Sequence, residues 1–278
     1  MNAITEQDIC DFEESLYNNE KSKATVEKYV LAVKRLADFL RGEAPTKKNL
    51  IQYRSYLQKK QKVQTVNGAL SAINAYLDFR GKEDVKVKLL KVQRRAFLDE
   101  KKELTKREYE RLLNAAVRCG NERLYLLMIT LCGTGIRVGE LVYITVEAVR
   151  AGSAEINLKG KIRTIVLQKE LRKKLLKYAA RQNIKSGYIF RTKHCNPLDR
   201  SNICHDMKKL CQEAGVSRDK VFPHNLRHLF ARTFFAVERN LAHLADVLGH
   251  SRIETTRIYV SVSARSHERI LNKMKLIL

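Results

Sequence analysis

The octapeptide Thr134-Gly135-Ile136-Arg137-Val138-Gly139-Glu140-Leu141 ends one helical pattern and begins another. Before it runs an apolar stretch, Leu124 to Leu131, that reads as a buried helix, and Gly133-Thr134-Gly135 breaks it. The spacing predicts that Arg137 opens the next helix, where free backbone N–H groups favour an anion. Arg137 and Glu140 are three apart and so share a helix face, which lets the carboxylate orient the guanidinium while the guanidinium faces outward. Alone this is an ordinary surface ion pair. Three downstream elements change its meaning: His224-x-x-Arg227 just after Pro223, Leu248-Gly249-His250, and Tyr259.

Two guanidiniums, imidazoles and a phenol are what a protein needs to hold a phosphodiester and attack it without a metal. Charge grows on the equatorial oxygens as a fifth ligand arrives, and the planar arginine fork bonds such oxygens in pairs. His224 and Arg227 share a face of a helix that Pro223 can start. A neutral imidazole accepts a proton near pH 7. A phenol with an unperturbed pKa of about 10 attacks poorly at that pH unless nearby cations or a base stabilise the phenolate.

These four motifs, in this order, resemble the tyrosine recombinases, the family of phage and transposon integrases, chromosome-dimer resolvases and DNA invertases. His250 follows His224 by 26 residues and Tyr259 follows His250 by 9, which is ordinary spacing for that family. The resemblance implies a phosphate clamp at Arg137 and Arg227, with Glu140 orienting Arg137. It further implies that His224 assists deprotonation, that His250 bonds the scissile phosphate and that Tyr259 is the nucleophile. The family's proton donor to the leaving 5′ oxygen is a lysine at a hairpin tip. Lys159 matches by its Lys-Gly step, but Lys159-Gly160-Lys161-Ile162-Arg163 is shorter than the usual turn and leaves Lys161 as a rival. Gly139 stands where the family usually has serine. The implied reaction gives a 3′-phosphotyrosyl link and a free 5′ hydroxyl with no cofactor and no metal. Strand exchange implies a homotetramer on two duplexes through a Holliday junction, with an accessory DNA-bending or directionality factor as a further possible partner and a mobile element as a typical setting. Two rivals use related parts. A type IB topoisomerase generally carries lysine where His224 stands, and a DNA-binding regulator would have a dead site.

Composition points the same way independently. The 278 residues carry 54 Lys and Arg against 30 Asp and Glu, a net charge of +24 spread over nearly all of the chain, which favours double-stranded DNA over a membrane surface as partner. The acidic N-terminus lacks an apolar run and no stretch is long enough to span a bilayer, so a cytoplasmic protein is expected. Its six cysteines then read as reduced thiols. His194-Cys195 and Cys204-His205 lack the close paired spacing of a zinc site, and no metal is expected.

The expected fold is mainly α in two domains. Residues 1–83 form a four-helix, SAM-like core-binding bundle, 84–103 a basic linker, and 104–278 an α+β catalytic domain. Helices are expected after Thr5-x-x-Asp8, from about Ser22 to Gly42, after Thr46, and from about Thr65 to Gly81. By resemblance the second and fourth approach a major groove, which makes Lys28, Lys34, Arg35, Gln64, Asn67, Ser71 and Asn74 the DNA-binding candidates. In the second domain Thr105-x-x-Glu108 is a capping box. Residues 154–158 and 162–167 alternate as a hairpin, and Glu147 to Arg150 is the third strand of a small antiparallel three-stranded sheet. Ser201 to Ala214 is a helix, and Ser251-x-x-Glu254 caps the helix that carries Tyr259. His228 is expected to point away from the site as a structural residue. Ile270 to Leu278 either docks on a neighbouring protomer or packs on its own domain.

Overall fold

The computed structural model of the chain describes residues 3–92, 100–158, 161–259, 268 and 272–274. It separates into two compact units, residues 1–94 and 95–278. The first is helical: α1 (Glu6–Asn18), α2 (Lys23–Leu40), α3 (Lys47–Lys60) and α4 (Val63–Phe79). Thr5 and Thr46 each accept the backbone N–H three residues on, and Asp8 and Asn49 return the contact, so two orphan donors are satisfied at each start. Leu36, Leu50, Leu70, Ile73 and Leu77 fill one side of the bundle. Phe12, Val26, Val33 and Tyr76 fill the other, with Phe12 edge-on to Tyr76 at 5.3 Å.

The lysine-rich stretch after α4 does not leave this unit at once. Val87 is buried in the core and Leu90 packs against it. The amide of Asn74 donates to and accepts from the Val87 backbone, and that of Asn67 does the same for Leu90. Seven helical residues advance about 10.5 Å and three extended residues about 10 Å, so the two amides match two points on an extended strap.

The second unit begins with α5 (Lys106–Arg118), capped by Thr105 and Glu108, and α6 (Glu122–Thr134), which supplies Leu127, Met128 and Leu131 to a large core. A 3-10 helix, Val138–Tyr143, follows, then α7 (Val146–Ala151) and the antiparallel hairpin β1 (Ser153–Leu158) and β2 (Lys161–Val166). After them come α8 (Lys169–Arg181), α9 (Arg200–Lys209), α10 (Cys211–Ala214), α11 (Pro223–Glu238), α12 (Leu241–Leu248) and α13 (Ile253–Arg257).

Three expectations are corrected. Glu147 to Arg150 is not a strand, and the sheet has two strands among the described residues. Thr145 caps α7 by accepting from Ala148, Val146 and Val149 are buried three apart, and Gly152 ends the helix at φ +89°. Ser201 to Ala214 is two helices that break at Leu210. The helix before Tyr259 starts from Arg252 without a side-chain cap and stops at Arg257, so Ser251 and Glu254 form no capping box. Among the described residues no helix is long and apolar enough to cross a membrane.

Candidate active site

Arg137 lies at the N-cap of the 3-10 helix rather than inside an α-helix. Its backbone N–H donates to Glu140 Oε2 at 2.7 Å and its Nη1 to Oε1 at 2.9 Å, so the helix start is occupied by the protein's own carboxylate. Glu140 is 1% exposed while the Arg137 side chain is 43% exposed. The acid is sealed in and the guanidinium reaches out. A second cation shares that acid: Arg163 Nη2 donates to Glu140 Oε2. Arg163 was not among the residues singled out by sequence. The signal was present, because on β2 it lies two residues before buried Ile165 and so on the same face, and an arginine on the inward face of a strand needs a buried partner.

Arg227 projects from α11 and is 1% exposed. Its Nη1 donates to Gly135 O at 2.6 Å and its Nη2 to Leu248 O at 2.7 Å and to His250 Nε2 at 2.9 Å. Burial and the charge of Arg137 lower its pKa to about 10, against the opposing influence of Tyr259, and it stays protonated at neutral pH. Burial, then Arg227, Arg137 and Arg163, hold the His250 pKa down at about 4. His250 is therefore neutral, Nε2 accepts from Arg227, and the proton sits on Nδ1, which donates to Thr256 Oγ1 at 2.8 Å. Thr256 is fully buried and was missed in the sequence.

Tyr259 is 2% exposed, packed with Ala231, Leu244 and Leu248. Its ring lies nearly parallel to His250 at 5.6 Å, edge-on to His228 at 4.7 Å, and 6.3 Å from His224. His224 has its outer edge in solvent, and crowding on its inner side, His228 and the arginines hold its pKa below the ordinary value. His228 does not point away. It is four residues from His224 and therefore on the same face of α11. Its Nδ1 meets Glu103 Oε1 at 3.2 Å, while its Nε2 is buried with no partner among the described residues. Burial pushes the Glu103 carboxyl up, but the His228 hydrogen bond and the charges of His228, Arg232 and His224 prevail and keep it below its usual range.

A cavity of about 380 Å³ opens beside Arg137, Glu140, His224 and Arg227, and Arg200 at the start of α9 also lines it. Lys159 lies outside the described residues, and Lys161 is described as the first residue of β2. The Ile270–Leu278 segment is described only at residues 272–274. In the first unit Lys28, Lys34, Arg35 and Gln64 are exposed. Ser71 is half-buried and donates to Asn67 O at 2.8 Å. Asn67 and Asn74 spend their amides on the strap. In this arrangement they are fasteners of the fold rather than open hydrogen-bonding edges.

A phenol enclosed by imidazoles and beside a buried guanidinium, with a second guanidinium open at a cavity roomy enough for a phosphodiester, is the set of groups that phosphoryl transfer through a tyrosine requires. Residues 102–266 match the model of the phage integrase family, and the chain belongs to that family, the tyrosine recombinases. It is 26% identical over 265 residues to the tyrosine recombinase XerA of Pyrococcus furiosus, covering 92% of this chain and 90% of that one. It is 22% identical to the TnP I resolvase of Bacillus thuringiensis, with 96% and 98% covered. Among solved structures its fold is similar to a lambda integrase fragment crystallised as a dimer bound to a COC′ core site, with a TM-score of 0.75, 18% identity, and 95% and 97% covered. It is also similar to crystalline XerA recombinase, with a TM-score of 0.54, 22% identity, and 98% and 99% covered.

Proposed function

We propose that this chain cuts and rejoins DNA at a specific site by attack of Tyr259 on a backbone phosphodiester. The tyrosine oxygen bonds to phosphorus, the bond to the 5′ oxygen breaks, and the products are a 3′-phosphotyrosyl link and a 5′ hydroxyl. The phenolic proton passes to a base, the role assigned here to His224, whose neutral ring lies 6.3 Å from that of Tyr259. The 5′ oxygen takes a proton from Lys159, with Lys161 as the alternative donor. Arg137 and Arg227 stabilise the charge that develops on the non-bridging oxygens. The link keeps the ester, so a 5′ hydroxyl from another duplex reverses the step without an external energy source.

The observation that carries this proposal is the packing of Tyr259 against His228 and His250, beside Arg227, within one unit. The topoisomerase alternative is disfavoured by His224, where those enzymes generally carry lysine. Residues 1–83 are proposed to bind the duplex through Lys28, Lys34 and Arg35, with Gln64 and Ser71 facing the DNA, and the 84–103 linker, held to the first unit at Val87 and Leu90, to cross between domains beyond that point. Relatives solved on core-site DNA and, for lambda integrase, as a tetramer on a Holliday junction support duplex DNA as partner and a tetramer as the working form.

The test starts from a random duplex library, from which the protein selects its own binding sequence. That sequence, rebuilt as a nicked suicide duplex, should trap wild-type protein covalently at Tyr259, and Tyr259→Phe should bind but form no adduct. An adduct of full yield with Tyr259→Phe overturns the proposal, as does relaxation of supercoiled plasmid that lacks the selected sequence. Comparing Lys159→Ala with Lys161→Ala assigns the proton donor.

A further inference from the structure

We propose that Arg163 is a positioning residue of this active site: it holds Glu140 so that the acid orients Arg137 without consuming it, and it fixes the loop that carries His250. The inference rests on the phosphotyrosyl reading above. Arg163 stands in the middle of β2, opposite Ile156, and its side chain is 14% exposed. Its two terminal nitrogens go to different parts of the fold. Nη2 takes Glu140 Oε2, and Nη1 donates to Val247 O at 2.7 Å in the last turn of α12. One planar group thus ties the hairpin to the Arg137 loop and to the Leu248-Gly249-His250 turn, elements separated by 23 and 84 residues along the chain.

The division of Glu140 between two arginines matters chemically. Oε2 is committed to the Arg137 backbone N–H and to Arg163, which leaves Oε1 for a single Arg137 Nη1. Arg137 therefore keeps most of its five N–H groups for an anion. Remove Arg163, and Oε2 is free to draw the second Arg137 nitrogen into a bidentate pair, which turns the fork away from the phosphate. The far side of Arg163 is equally specific. Gly249 sits at φ +65°, and a Cβ there would come within 2.7 Å of Arg163 Cδ and 3.0 Å of Nε and Nη1. The glycine before His250 is thus required by close approach as well as by backbone conformation, since the arginine lies directly beneath it.

Lysine cannot substitute, because a single ammonium does not span a carboxylate and a carbonyl that the fork reaches with separate nitrogens. Arg163→Met and Arg163→Lys, each as full-length protein, are tested on the nicked duplex described above with either a phosphate or a methylphosphonate at the scissile position. The methylphosphonate lacks the charge that Arg137 neutralises. On phosphate, Arg163→Met should slow adduct formation about 100-fold, the scale of an ångström-sized misplacement, with DNA binding little changed. On methylphosphonate the defect should shrink to roughly a tenth of that, because the misdirected guanidinium then has less to do. A purely structural role lowers both substrates by one factor, and that result overturns the proposal. So does wild-type adduct formation by Arg163→Lys. Should Arg163→Met fail to fold, the two-substrate comparison with Arg163→Lys decides on the same terms. If wild-type protein itself forms no adduct, it is the phosphotyrosyl reading that fails.

Discussion

Thr256→Val removes one hydroxyl and preserves shape, and the structure sets what that costs. Thr256 is fully buried and its Oγ1 is 2.8 Å from His250 Nδ1. The His250 pKa is held at about 4, so at pH 7 the ring carries one proton. Nε2 accepts from Arg227 Nη2, which forces that proton onto Nδ1. In the valine variant Nδ1–H faces a methyl group and stays unpaired, a penalty of about 1–3 kcal/mol. The alternative tautomer offers no escape, because it sets an N–H against a guanidinium N–H. For a unit of this size each kcal/mol moves a thermal midpoint by about 2–4 °C. Urea and thermal unfolding followed by circular dichroism should show that loss, and the imidazole nitrogen shifts of the wild type should report the Nδ1–H tautomer. A valine variant within about 0.5 kcal/mol of wild type, the scale of a neutral surface change, or an Nε2–H tautomer, refutes the assignment.

Acid should destabilise the second unit before ordinary carboxylates titrate. The folded His250 pKa near 4 lies below the unfolded value of 6.5, so the unfolded state binds more protons between them. Stability is complete above about pH 6.5 and should decline by roughly 1–2 kcal/mol as pH falls toward 4, less than the full shift implies because solvent screens the half-buried ring; urea midpoints that stay flat from pH 7 to 5 would contradict this. Gly135→Ala places a Cβ 2.3 Å from Phe230 Cδ1 at a φ of +66°, on the residue whose carbonyl holds Arg227. Overpacking and left-handed backbone together should cost about 2–4 kcal/mol, measured by urea unfolding, and an unchanged midpoint would refute the clash. Asn74→Ala loses both contacts to Val87 and should destabilise the first unit by about 1–3 kcal/mol without changing the salt dependence of DNA binding. A binding defect with unaltered stability would return Asn74 to the DNA-contacting set.

Local chemistry made much of this legible. Thr5, Thr46 and Thr105 cap helices because a hydroxyl and a residue three positions on settle the matter within one turn. The segment Val146-Glu-Ala-Val-Arg-Ala151 fits either period over so few residues, and only the Thr145 cap and the Gly152 stop make it a helix. Arg163, Glu103 and Thr256 escaped notice for a different reason. Each acquires meaning from a partner brought close only by tertiary packing: Glu140 for Arg163, His228 for Glu103, and the His250 ring for Thr256. His228 was misplaced by looking at its neighbour Arg227 when its helical neighbour is His224. Asn67 and Asn74 look like exposed amides in sequence, since nothing local shows that a strap returns to cover them.

The counterparts of Arg227 are peptide oxygens at Gly135 and Leu248 and a neutral ring, and no acid is among them. Carbonyl dipoles aim a cation without cancelling it, whereas a carboxylate in that position would have repelled any incoming diester. Among the described residues Arg137, Arg163 and Arg227 share one carboxylate, Glu140, so the cluster carries internal repulsion that an anion held there would relieve. Readiness for its guest is stored as lost stability, and the same surplus that weakens the resting molecule gives the phosphate a reason to enter.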